Sequence, residues 1–205
     1  MAKKSLVVLV ITALAVGGLF AQEEPKGFSM SAGIGALIGG DFGGGYKVGD
    51  AKMKTPYFGG GGFLFFDATY AELSFGVLGG GGKWGDENTV DASMVNLNIG
   101  LLGKYPLVIN EKMSVFPLLG IDYQITVSSK VNDEKNDDAG DLSALWFKLG
   151  GGLDYAITSK MYARLEALYG LRLANKFETD MKDDTDGETL LGHGLTVKLA
   201  VGYKF

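Results

Sequence analysis

His193 is the single histidine in a chain of 205 residues that contains no cysteine. Acyl transfer needs an imidazole beside a nucleophile, with a third group to orient it. A histidine–serine pair two residues apart would serve, but position 195 is Leu195. Without cysteine there is no disulfide framework and no thiolate metal site. Acidic runs offer oxygen ligands instead: Asp133, Glu134, Asp137, Asp138 and Asp141, then Glu178, Asp180, Asp183, Asp184, Asp186 and Glu188. The stretch Asp184-Thr185-Asp186-Gly187 resembles part of a calcium loop. Aligned on Gly187, however, that loop would begin at Lys182 and end at His193, so the ligand pattern fails. These runs read as solvated, mutually repelling loop segments. The glycine runs 43–45, 59–62 and 79–82 lack the spacing of a phosphate-binding loop, and no helix follows them. A formal charge of -5 gives no basic face for nucleic acid. The sequence therefore predicts no catalytic residue, no metal and no cofactor.

A different set of charges is spaced more regularly. Glu72, Lys104, Asp122, Lys148, Asp154, Arg164, Glu166, Arg172, Lys198 and Lys204 each sit within a stretch of period-two alternation, opposite its apolar residues. Successive side chains on a strand point to opposite faces, so these charges share one face and the apolar residues the other. The last segment is the clearest: Leu195, Val197, Leu199, Val201, Tyr203 and Phe205 alternate with Gly194, Thr196, Lys198, Ala200, Gly202 and Lys204. A three-residue turn at 158–160 would put Asp154 opposite Arg164, with Glu166 next on the same face. Glu72, Asp122, Lys148, Asp154, Arg164, Glu166, Arg172 and Lys198 are then expected to neutralise one another, because an unpaired buried charge costs several kcal/mol. A gate or ion path through the same residues is the functional alternative.

The elements that position these charges are strands. The chain has 33 Gly, 9 Tyr and 12 Phe against 4 Pro, a composition suited to many strands and tight turns. Seven stretches alternate with a clear phase. Thr55 to Phe66, with four glycines and then Phe63-Leu64-Phe65-Phe66, completes eight without one. Residues 67–69, 105–111 and 158–160 form short turns, whereas 40–54, 79–92, 128–142 and 174–192 are long and polar. Short connections at one end and long ones at the other suit a membrane barrel, whose strands need about 9–11 embedded residues. Pro117 lacks a ladder donor, which predicts a bulge or distortion in the fifth strand. Ahead of the strands, Lys3 and Lys4 precede an apolar run from Leu6 to Leu19. This is the layout of a cleaved secretory signal over 1–21, followed by a short segment 22–26 and the barrel over 27–205. Loss of Lys3 and Lys4 takes the formal charge from -5 to -7.

Alternation alone leaves the choice between lipid and water outside. A lipid-facing Arg or Lys costs about 2–4 kcal/mol at mid-bilayer, so one face free of charge fits lipid. The opposite face is rich in Gly, which suits the narrow interior of an eight-stranded barrel. Phe28, Tyr123, Phe147, Tyr155, Tyr169 and Tyr203 fall near strand ends on the apolar face, as girdles do. The terminal Phe205, with Tyr203, Val201, Leu199 and Val197 at alternate positions, resembles the C-terminal assembly signal of outer-membrane barrels. The whole stretch 27–205 resembles small barrels of the OmpA/OmpX-like superfamily.

That resemblance implies an all-β, eight-stranded antiparallel up-and-down transmembrane barrel with short periplasmic turns and long extracellular loops. It further implies an outer-membrane lipid environment, insertion through the barrel-assembly machinery, and a monomer. No peptidoglycan-binding module is expected after Phe205. The function expected is non-enzymatic, serving envelope integrity, adhesion or surface interaction, with an extracellular ligand at the acidic loops. Three alternatives stay open: a narrow OmpW-like channel, a soluble periplasmic barrel holding an apolar ligand, and a lipid A-modifying enzyme using His193.

Overall fold

The computed structural model describes residues 29–85, 89–175 and 188–205. The signal segment and Phe28 lie outside the described residues, as do loop acids 178–186. In chain order the elements are β1 (Met30–Asp41), β2 (Gly45–Val48), β3 (Ala51–Lys54), β4 (Tyr57–Ala68), β5 (Ala71–Trp84), β6 (Val90–Lys104) and β7 (Leu107–Asn110). They continue with β8 (Met113–Val131), β9 (Glu134–Asn136), a 3-10 turn (Ala139–Leu142), β10 (Ala144–Ala156), β11 (Met161–Asn175), β12 (Glu188–Leu190) and β13 (His193–Lys204).

Eight of these strands close a barrel: β1, β4, β5, β6, β8, β10, β11 and β13 pair antiparallel in sequence order. The last, β13, returns to pair with β1 from Ser31↔Lys204 to Asp41↔Gly194. Closure removes the free edges that an open sheet would present, so a bilayer meets no unpaired ladder.

The alternation places apolar side chains outside. Ile34 is 65% exposed, Leu199 61% and Leu119 50%, and such residues recur on every barrel strand. Burying one such side chain is worth about 1.5–3 kcal/mol, so a belt of this size is stable only against lipid. The opposite face turns inward, with Phe65, Glu72 and Glu166 each at 0% exposure.

The fourth strand of the chain, β4, resolves the segment whose phase the sequence left open. Tyr57, Phe63, Phe65 and Asp67 are buried within, while Phe58, Leu64 and Phe66 are exposed on the outside. Asp67, expected in a turn, is a strand residue paired with Glu72. The β5–β6 connection is shorter than the expected 79–92, since β5 runs to Trp84 and β6 starts at Val90. Gly79 to Gly82 are ladder residues in it, paired with Val95 to Ala92. The 40–54 and 174–192 loops carry β2, β3 and β12, which form a separate three-stranded sheet at the long-loop end.

The distortion expected at Pro117 takes another form. The β8–β10 register runs unbroken through Pro117↔Gly151. On the other side, β6 last meets β8 at Leu118 and β7 first meets it at Val115. Pro117 therefore faces a break between two partner strands, where the missing N–H costs no ladder bond. The bulges lie elsewhere: Val127 is the extra residue of β8 against β6, and Leu173 that of β11 against β10.

Candidate functional site

Each inward charge occupies its place because of strand parity and register. The hairpin turn at Thr158 to Lys160 pairs Asp154 with Arg164. Two residues further along β11, Glu166 pairs with Lys198 of β13. Asp67 of β4 and Glu72 of β5 face each other across their own hairpin. Two carboxylates at adjacent inward positions repel unless a cation lies between them.

Arg164 is that cation. Its Nε and Nη2 donate to the two oxygens of Asp154 at 2.7 and 2.8 Å. Nη1 donates to Glu72 Oε2 at 2.6 Å, and Nη2 also donates to Asp67 Oδ2. The planar guanidinium, with five donors in a fixed fork, can hold one carboxylate bidentately and still serve two more from one position. Lys198 Nζ lies 3.3 Å from Glu72 Oε1 and 3.2 Å from Glu166 Oε2, and Lys104 pairs with Asp67. Four carboxylates (Asp67, Glu72, Asp154, Glu166) thus meet three cations (Lys104, Arg164, Lys198), a formal balance of -1.

Aromatic rings fill the space around the ions. The Arg164 guanidinium carbon stands 4.6 Å from the centre of Phe65, 5.0 Å from Phe116 and 5.2 Å from Tyr162. Tyr162 and Ser31 share a hydroxyl hydrogen bond of 2.7 Å. Phe116 packs with Leu102, Leu118 and Leu168 in a second buried cluster. Together these residues form a plug across the half of the lumen nearer the short turns. Cation–ring contacts in such a desolvated setting are worth about 2 kcal/mol each.

The other expected lumen residues lie nearer the loops and are joined differently. Arg172 Nη1 donates to Asp41 Oδ2 at 2.8 Å. Asp122 accepts from Asn98 Nδ2 at 3.0 Å. Lys148 donates to Thr196 Oγ1 at 3.3 Å and stands 5.0 Å from the Trp146 ring centre. These groups line a cavity of about 80 Å³ above the plug.

Asp67 and Asp41 join the set expected from sequence, and Lys104, expected inward, gains a partner in Asp67. The sequence places Asp67 in a turn and Asp41 in a loop, where alternation gives no phase to follow. Of the expected girdle, Tyr123, Tyr155, Tyr169 and Tyr203 are exposed and Phe147 half-buried, all on the outer face. Phe66, Tyr70 and Tyr105 add to it at the short-turn end, with Tyr70 and Tyr105 stacked at 6.2 Å. The terminal strand presents Val197, Leu199, Val201 and Tyr203 outward, and Phe205 is 77% exposed. His193 lies between aromatic rings, 6.4 Å from Phe42 and 6.2 Å from Tyr169. Among the described residues, no group of three His, Cys, Asp or Glu side chains is placed to hold a metal ion.

Solved structures share this architecture at low sequence identity. Neisserial surface protein A is 11% identical, with a TM-score of 0.50, over 88% of this chain and 100% of that one. The outer membrane protein OprG from Pseudomonas aeruginosa is 11% identical, with a TM-score of 0.49, over 87% and 95% respectively. Ail, the attachment invasion locus protein of Yersinia pestis, is 14% identical, with a TM-score of 0.42, over 86% and 98%. No curated protein matches the sequence. The sequence itself matches the family described as outer membrane protein beta-barrel domain over residues 6–205. With a closed eight-stranded barrel, an apolar outer belt and a family match spanning almost all of its length, this chain belongs to the outer membrane protein beta-barrel domain family.

Proposed function

We propose that this outer-membrane barrel is a non-enzymatic, non-conducting scaffold that meets its surroundings through its loops, in envelope integrity, adhesion or surface interaction. The observation that carries this reading is the plug centred on Arg164, which is 1% exposed. Ions crossing the lumen would have to part its contacts with Asp67, Glu72 and Asp154, and parting a buried pair costs about 3–5 kcal/mol. At the far end, Asp133, Glu134, Asp137 and Asp138 are solvent-exposed and suited to an extracellular ligand. Ail is described in complex with a heparin analogue, sucrose octasulfate. Our reading for the acidic loops here is a ligand of the opposite charge.

In the same proposal, residues 1–21 direct export, and β13 with Phe205 is what the barrel-assembly machinery reads. The barrel inserts as a monomer. The deciding experiment is single-channel recording of the refolded protein in planar bilayers. A silent membrane is expected. Stable conductance steps would overturn the reading and favour the narrow OmpW-like channel.

A further inference from the structure

The cavity above the plug contains polar groups that the described residues leave without partners. Lys148 is 8% exposed. It donates to Thr196 and faces the Trp146 ring; the Asp41 and Asp122 carboxylates line the same cavity but, among the described residues, none stands within the 4.0 Å of an ion pair with it. Trp84 and Trp146 are 4% and 5% exposed, line the same cavity, and their indole nitrogens have no hydrogen-bond partner among the described residues. The Asn98 amide donates from Nδ2 to Asp122, while its buried Oδ1 accepts no hydrogen bond among the described residues. Buried polar groups are paired in the great majority of cases, so three unpartnered ones around a single cavity, beside an ammonium that spends one of its three N–H groups on Thr196, need an account.

The account is one of chemistry. Three spare donors, one of them a cation, call for an acceptor-rich anion; one spare acceptor, Asn98 Oδ1, calls for a hydroxyl on the same molecule. At about 80 Å³ the cavity exceeds what a single water needs, so it admits a small solute. Because the plug closes the lumen beneath, such a solute arrives from the loop end. We propose that this cavity binds a small hydroxylated carboxylate, anchored by Lys148, with the indoles of Trp84 and Trp146 donating to its carboxylate and Asn98 receiving its hydroxyl. The site lies above the plug, so it holds whether or not the loops also bind a partner.

The chain has two tryptophans, and both line the cavity, which gives the test a local reporter. The refolded ¹⁵N-labelled protein in detergent micelles is titrated with sodium glycolate, with sodium chloride holding ionic strength constant. Both indole N–H resonances are expected to move downfield and saturate. Acetate, lacking the hydroxyl, is expected to bind more weakly. Lys148→Met is expected to weaken glycolate binding about tenfold or more, since a hydrogen bond to a charged group is lost. Heat-modifiable gel migration shows that the variant is folded, and the wild-type titration decides by itself if it is not. The proposal is overturned if neither indole resonance moves, if chloride moves them equally, or if Lys148→Met binds glycolate as well as the wild type does. Equal binding of acetate and glycolate overturns the role given to Asn98.

Discussion

The lower and upper halves of the lumen are built from the same strands and treat charge in opposite ways. Towards the short turns, β10 and β11 contribute Asp154, Arg164 and Glu166, and β13 contributes Lys198; all four lie in ion pairs, and rings cover the cations Arg164 and Lys198. Towards the loops, the same β10 and β11 contribute Trp146, Lys148 and Arg172, and the space between them is left as a cavity. Backbone and closure are common to both halves, so the difference is one of side chains alone. A narrow barrel is shut where its inward charges pair with one another and its rings fill the remaining volume. It keeps room where glycines and unmatched donors are left.

Removing the centre of the lower half would break this contrast most severely. Arg164→Met keeps an unbranched apolar stem but leaves Asp67, Glu72 and Asp154 facing one another without their shared cation. Breaking a buried ionic group by removing one partner costs about 3–5 kcal/mol. The expected outcome is a large fall in the urea midpoint of the barrel refolded into lipid vesicles, or failure to refold. A midpoint within error of wild type would mean that the plug contributes little to holding the barrel together.

How much of this could be read in advance depended on parity. Where a strand alternated cleanly, as in 193–204, the sequence predicted which side each residue takes, and Leu199 and Lys198 lie as expected. The Asp154–Arg164 pairing followed from counting turn residues. Parity failed in β4, because Gly59 to Gly62 carry no side chain to mark a face and Phe63 to Phe66 are apolar on both. Asp67 was lost with it, although it is one of the three carboxylates on Arg164. Partner choice across the lumen was beyond sequence for a geometric reason. Asp67 and Arg164 are 97 residues apart and on strands that do not pair, so only closure of the barrel brings them together.

Two glycines sharpen the comparison at smaller scale. A Cβ on Gly152, in the lower half, would stand 2.3 Å from the Phe116 ring and 3.1 Å from Glu166 Cγ. That ring is held by Leu102, Leu118 and Leu168, and by the cations of Lys104 at 4.8 Å and Arg164 at 5.0 Å. Moving it would break these contacts, and overpacking of this kind costs about 1–3 kcal/mol. A Cβ on Gly76, beside the cavity, meets Leu37 Cδ2 at 3.1 Å, the movable end of a side chain with space behind it. Gly76→Ala is therefore expected to lower the urea midpoint less than Gly152→Ala does. Equal losses would show that the two halves are packed alike.

The smallest effect is expected from Lys148→Met, and its sign carries the most information. A buried ion that is well paired is costly to delete, as Arg164 should be. Lys148 makes no ion pair among the described residues, so the wild type already bears the cost of desolvating it. Replacing it with an apolar chain of similar length removes that cost and loses one bond of 3.3 Å to Thr196, worth about 1.5–3 kcal/mol to a charged donor. The two contributions oppose each other and are of similar size, so the unfolding midpoint should stay close to wild type or rise. A fall comparable to that of Arg164→Met would mean that Lys148 belongs to the ionic plug. A neutral or stabilising outcome would mean that the fold retains this lysine at some expense to its own stability, as a residue kept for binding rather than for folding would be.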